Sequence, residues 1–160
     1  MDEKQSSSDR VQRRLRRAAG QLMEDSTLRS HLGDEQAQQL LNWGLAQVEQ
    51  AAVRTANLPD DDAMPVLEEK VAAVRSVMQL VNRIVGTVEE TAGEGDVVDD
   101  QMTRLLKNLH WLTGQPTTMA HMVHVGKFNR QRPQMDSDSA FHRLMDLIQV
   151  NPAATKEEEE

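Results

Sequence analysis

Apolar residues recur along most of this chain at spacings of three and four, the period of an α-helix that buries one face. The clearest run is Leu67, Val71, Val74, Met78, Val81, Val85 and Val88. A second row, Val66, Ala73, Val77, Leu80 and Ile84, lies beside the first. A helix with so wide an apolar face is expected at the centre of a bundle, touching several neighbours. Asp61 or Asp62 is placed to cap it, and Pro65 falls in the first turn, where a missing N–H costs little. Ala92-Gly93 marks its end, so the pattern predicts a long central helix over about 63–91.

The flanking segments carry narrower stripes. Val11, Leu15, Ala18 and Leu22 predict a helix from about Asp9 to Glu24, with a short turn through Leu28 and Leu32 after it. Gly33 offers a left-handed stop and Asp34 an N-cap for a second helix to about Ala56. The stripe of that helix is Ala37, Leu41, Gly44, Val48, Ala51 and Thr55. A glycine inside a helix costs about 1 kcal/mol relative to Ala, so Gly44 marks a close helix–helix approach. Val98, Met102, Leu105, Leu109 and Leu112 predict a helix over about 97–113, stopped by Gly114-Gln115-Pro116. Thr117 or Thr118 is placed to cap a short helix that ends at Val125-Gly126, and a polar loop follows through Pro133. The last helix, about 138–150, presents Phe141, Leu144, Met145 and Ile148. Short connections make neighbours antiparallel. The expected fold is therefore all-α: an antiparallel helical bundle of about five helices in one domain over 9–150. A disordered leader (1–8) and a disordered acidic tail (151–160) are expected to flank it.

Composition agrees with helices rather than sheets. Aromatic residues are 2% of the 160, with no Tyr, so the core is aliphatic. The absence of Cys excludes disulfides, thiolate nucleophiles and Cys-bound zinc. The polar N-terminus has no apolar segment of a signal peptide, and no run approaches the roughly 20 apolar residues that span a bilayer. No membrane span is expected, and a cytoplasmic location is the default.

Charge adds a block pattern to the net −8. Residues 34–100 carry fourteen acidic and four basic side chains, whereas 101–135 carry five basic and no acidic ones. Within that acid-free block Trp111 lies on the side of its helix away from the stripe, beside Arg104 and Lys107. An exposed Trp ringed by cations suits a protein hot spot or a stacking platform for nucleic acid. The plainer alternative is that another segment covers it, such as the loop holding Phe128. Trp43 is also off its stripe, which points to packing beneath the first or last helix, or to a homodimer contact. Lys127, Arg130 and Arg132 surround Phe128 in a segment that could hold a phosphate or an acidic peptide, though a flexible connector is the favoured reading. These residues, Trp111, Arg104, Lys107, Trp43, Lys127, Arg130 and Arg132, are the candidate partner-binding set.

Arg10, Arg13, Arg14, Arg16 and Arg17 place five guanidiniums in eight residues of the first helix. They are candidates for binding nucleic acid or another polyanion. Overall acidity weighs against a generic nucleic-acid binder, and contact with the chain's own acidic block explains them more simply. His121 and His124, three apart, are weak metal candidates because no third and fourth ligand stands near them in the sequence. Ser139 and His142 at a helix start are explained by capping rather than catalysis. No nucleophile, base and orienting group converge, so neither catalytic residue nor cofactor is expected, and the reading leans away from an enzyme. The expectation is a helical interaction or regulatory module that binds a protein partner and self-associates. Polyanion binding and a small metal-binding or hydrolytic protein are the alternatives.

Overall fold

The structure is a computed structural model that describes residues 3–23, 31–91, 95–114 and 117–150. The protein is an all-α helical bundle, with no strand among the described residues. Its helices are α1 (Glu3–Met23), α2 (Asp34–Arg54), α3 (Asp60–Thr91), α4 (Gly95–Thr113), α5 (Met119–Gln131) and α6 (Ser137–Ile148), with a 3₁₀ turn at Arg132–Gln134. The chain divides into two compact units, 1–78 and 79–160, so that α3 supplies its first half to one and its second half to the other.

In the first unit, α1 and α2 run antiparallel. Arg14 in the middle of α1 bonds the carbonyl of Thr55 just past the end of α2. Leu22, near the end of α1, faces Gly44 in the middle of α2. The turn at 55–59 then returns the chain, so that Gly44 also meets Val74 and Met78 of α3. The close approach expected at Gly44 is present: a Cβ built there would lie 2.8 Å from Val74 Cγ1 and 3.1 Å from Met78 Sδ. Serving neighbours on two sides, α2 buries an arc from Trp43 through Gly44 to Ala52, about half its circumference.

Helix boundaries differ from expectation in informative ways. Helix α1 begins at Glu3, inside the segment assigned to a leader; the acidic tail and the turn through Leu28 lie outside the described residues. Gly33 is extended (φ −69°, ψ 165°) and is itself the N-cap of α2, its N–H donating to Gln36 Oε1 at 3.3 Å. Asp34 is therefore the first helical residue rather than the cap. Helix α3 starts at Asp60, one turn earlier than the pattern implied, which moves Pro65 into the second turn. Three consecutive aspartates at its start favour that extension through the helix dipole. From Val77 to Val88 nearly every residue of α3 is buried, Asn82 and Gly86 included.

In the second unit, Gln101 Nε2 of α4 donates to Thr87 Oγ1 of α3 at 3.0 Å, and α4 packs against α5 and α5 against α6. The α4 stripe of Val98, Met102, Leu105, Leu109 and Leu112 is buried throughout. Gly114, with φ 68°, takes the left-handed conformation that ends α4. The main correction concerns α5, which does not stop at Gly126. It continues to Gln131 and is followed directly by the 3₁₀ turn, so the expected loop of 126–133 is helical. The reason is Phe128, which is 1% exposed: its burial offsets the helical cost of the glycine.

Candidate functional site

The C-terminal half of α4 and the whole of α5 form a helical hairpin that displays large apolar side chains to solvent. Trp111 is 75% exposed, and no described segment covers it. On α5 the inward direction is set by His121 and Phe128, seven residues apart on one face and both buried. Met119, Met122 and Val123 point away from that direction and are 73%, 55% and 50% exposed. Helix α5 is thus apolar on two sides, of which only one is buried. The Asp99–Arg132 ion pair joins the start of α4 to the residue just after α5, which makes the two helices antiparallel. That pairing puts Trp111 level with the first turn of α5, where Met119 and Met122 lie.

The charges around this surface sort themselves by position. Lys107 stands one helical turn before Trp111, and Lys127 and Arg130 follow Val123 along α5; all three are exposed. The Arg130 guanidinium lies back along α5, 3.5 Å from where a Gly126 Cβ would be. The other two cations of the acid-free block have ion-pair partners, Arg104 on the exposed surface of α4 and Arg132 largely buried. Arg104 pairs with Asp100 at 3.3 Å, and Arg132 pairs with Asp99 at 3.4 Å while also donating to Asn129. Arg132, its side chain only 15% exposed, braces the hairpin rather than facing a partner.

Trp43 leaves the partner-binding set as well, being 9% exposed within the wide buried arc of α2. The apolar stripe of that helix is broader than the sequence pattern indicated, and an indole at its edge is covered. Met119, Met122 and Val123 were missed for a related reason. With a helix expected to stop at Gly126, Phe128 could not be used to fix which face of α5 turns inward.

The histidines are placed by local chemistry. Thr118 caps α5: its Oγ1 accepts from the His121 N–H at 3.2 Å, and His121 Nδ1 accepts from the Thr118 N–H at 3.2 Å. This is a reciprocal capping box with an imidazole in the place usually held by Glu or Gln. Burial, and then the neighbouring His124, hold His121 below the usual 6.5. Among the described residues no three His, Asp or Glu side chains gather as a metal site would need. At α6 the cap is Asp136, whose carboxylate accepts from the Ser139 N–H at 2.7 Å. Ser139 therefore receives the cap rather than supplying it. His142 Nδ1 lies 2.8 Å from the Asp138 carbonyl oxygen, a turn away on the exposed side of α6.

The arginines of α1 divide into three groups. At 100° per residue Arg10, Arg13, Arg14 and Arg17 share one arc about 100° wide, with Arg16 outside it. Arg14 borders the apolar stripe and is 3% exposed. Its Nε and Nη2 donate to Asp60 Oδ1 at 3.0 and 2.6 Å, Nη1 to the Thr55 carbonyl at 2.9 Å, and Nη2 also to the Leu58 carbonyl at 2.8 Å. This guanidinium fastens α1 to the α2–α3 turn and is not available to an outside anion. Arg10 is half-buried and reaches the Ala56 carbonyl at 3.4 Å, whereas Arg13, Arg16 and Arg17 are exposed.

The fold and these surfaces define a helical bundle protein with an open apolar face on one unit and an arginine-lined face on the other. Comparison with protein-family models, with curated proteins and with solved structures finds no match to this chain. No described helix is long and apolar enough to cross a membrane.

Proposed function

We propose that this protein is a helical protein–protein interaction module whose contact surface is the outer face of the α4–α5 hairpin. The observation that carries the reading is Trp111, 75% exposed at the level of the exposed Met119 and Met122. Exposed indoles dominate binding energetics when a partner desolvates them, and flexible methionines adapt to apolar partners of varied shape. Three cations of the same two helices, Lys107, Lys127 and Arg130, are exposed along this face. The complementary occupant is an acidic amphipathic helix from a partner protein, its apolar side on the Trp and Met face and its carboxylates toward these cations. A cytoplasmic setting belongs to the same proposal.

The test uses Trp fluorescence, because of the two indoles only Trp111 is open to solvent. Titration with a synthetic helical peptide, Leu on one face and Glu on the other, is expected to give a saturable blue shift that weakens with added salt. Met122→Glu should reduce that affinity at least about tenfold, equivalent to about 1.4 kcal/mol. Absence of a saturable shift would defeat the reading. A Trp111-dependent dimer seen by light scattering without peptide would replace the acidic partner by a second copy of this chain.

A further inference from the structure

A second surface, on the other unit, carries an inference independent of the hairpin. Arg10, Arg13, Arg14 and Arg17 line a groove of about 200 Å³ together with Asp60 and Met64. The groove is built from the stack of α1 positions that share one arc, set against the start of α3. Like charges three and four residues apart on a helix repel, so this stack is destabilising unless an anion offsets it. Four guanidiniums face this space and one carboxylate opposes them. Asp60 gives its Oδ1 to Arg14, and the positive charge of Arg13 and Arg10 further helps hold its pKa below the usual 3.8. The lining keeps a charge excess of three after that pairing. Arg14, fixed by its four hydrogen bonds, gives the groove an immobile floor. Arg13 and Arg17 stand at its rim as exposed forks one turn apart.

We infer that this groove is a binding site for a phosphomonoester dianion, held by Arg13 and Arg17 with Arg10 at its inner edge. A phosphomonoester offers two charges and three acceptor oxygens, which suits converging planar guanidiniums better than a chloride or a single carboxylate does. The groove admits one such group. A nucleic-acid strand would instead need cations spread along its path, and Arg16, outside the arc, would then count equally.

Titration calorimetry at fixed ionic strength tests the site, with inorganic phosphate as one probe and a phosphoserine peptide beside its unphosphorylated form as the other. Saturable binding of both phosphate probes assigns a site for the free group. Binding of the phosphopeptide alone assigns a site for a phosphorylated protein segment. In either case R13Q and R17Q should each lower affinity at least about tenfold, equivalent to about 1.4 kcal/mol, and R16Q should leave it within twofold. The unliganded R13Q protein should melt no lower than the parent, since the substitution relieves repulsion at an exposed position. The inference is overturned if neither probe binds saturably or if R16Q weakens binding as much as R13Q. Tighter binding of single-stranded RNA with equal dependence on all three arginines would overturn it in favour of a nucleic-acid surface.

Discussion

Arg14 illustrates how one side chain can be settled by the half-turn of helix it occupies. It follows the apolar stripe closely enough to be drawn inside, yet its fork reaches two backbone carbonyls and a carboxylate that would otherwise lie beyond the end of α2. Removing the guanidinium takes the Arg14 donor from the Leu58 carbonyl, leaves the Thr55 carbonyl with only the Leu58 N–H, and opens a gap beneath the turn. Hydrogen bonds to charged groups contribute about 1.5–3 kcal/mol each net of competition with water, and bonds made by one fork are not additive. Arg14→Ala is therefore expected to destabilise the protein by about 2–3 kcal/mol, read from the shift in urea midpoint at unchanged slope. Arg14→Lys should recover only a minor part, because an ammonium cannot address three acceptors in one plane. A loss below about 0.5 kcal/mol, the scale of an ordinary surface substitution, would show that the clamp is not what fastens α1.

At the scale of elements, Gly44 and Gly126 show opposite uses of the same residue. Gly44 is required by a neighbour: its missing side chain is the space occupied by Val74 and Met78. Gly126 meets only the Arg130 guanidinium at an ordinary distance, and nothing in its backbone demands glycine. By helix propensity alone Gly44→Ala would stabilise by about 1 kcal/mol. A Cβ at 2.8 Å from a stiff, β-branched Val74 forces a shift, and overpacking of this kind costs about 1–3 kcal/mol. The expected outcome of Gly44→Ala is a net loss of about 1 kcal/mol. Adding Val74→Ala should show a favourable coupling between the two sites in a double-mutant cycle. An increase in thermal midpoint on Gly44→Ala alone would contradict the packing.

For the molecule as a whole, three of the perturbed groups, those whose usual pKa lies below about 7, bias stability in one direction across the acid range. His121 is held below the usual 6.5 by burial and by His124, and Asp136 below 3.8 chiefly by the Ser139 N–H. Asp60 is held below 3.8 first by its hydrogen bond with Arg14. In each case the unfolded chain takes up its proton at a higher pH than the folded one, so stability falls as pH falls. The His121 contribution is complete above about 6.5 and is lost as pH drops through its lower folded value. The contributions of Asp60 and Asp136 are complete above about 3.8 and disappear below it. Urea midpoints measured from pH 8 downward should therefore decline in two steps. His121→Gln, which keeps an acceptor for the Thr118 N–H without a titrating ring, should flatten the upper step while leaving the lower one. Stability that rises between pH 7 and 5 would contradict the assignment of His121.

The helices, their order and most of their inward faces follow from the sequence itself, because a period of three and four in apolar side chains has one economical solution in water. The stripe of α4 and the close approach at Gly44 were legible for that reason. Tertiary structure decided the exceptions. Trp43 is buried because α2 is covered on two sides, while Trp111, equally off its stripe, stays open because no described segment lies over it. Arg14 turns inward while Arg13 and Arg17 remain outside, a distinction set by where the α2–α3 turn places its carbonyls and Asp60. Helix α5 runs through Gly126 because Phe128 has a core to enter. Local periodicity fixes which side chains one helix can offer together. Only the neighbours packed against it determine which are covered, which are paired and which are left for a ligand or a partner.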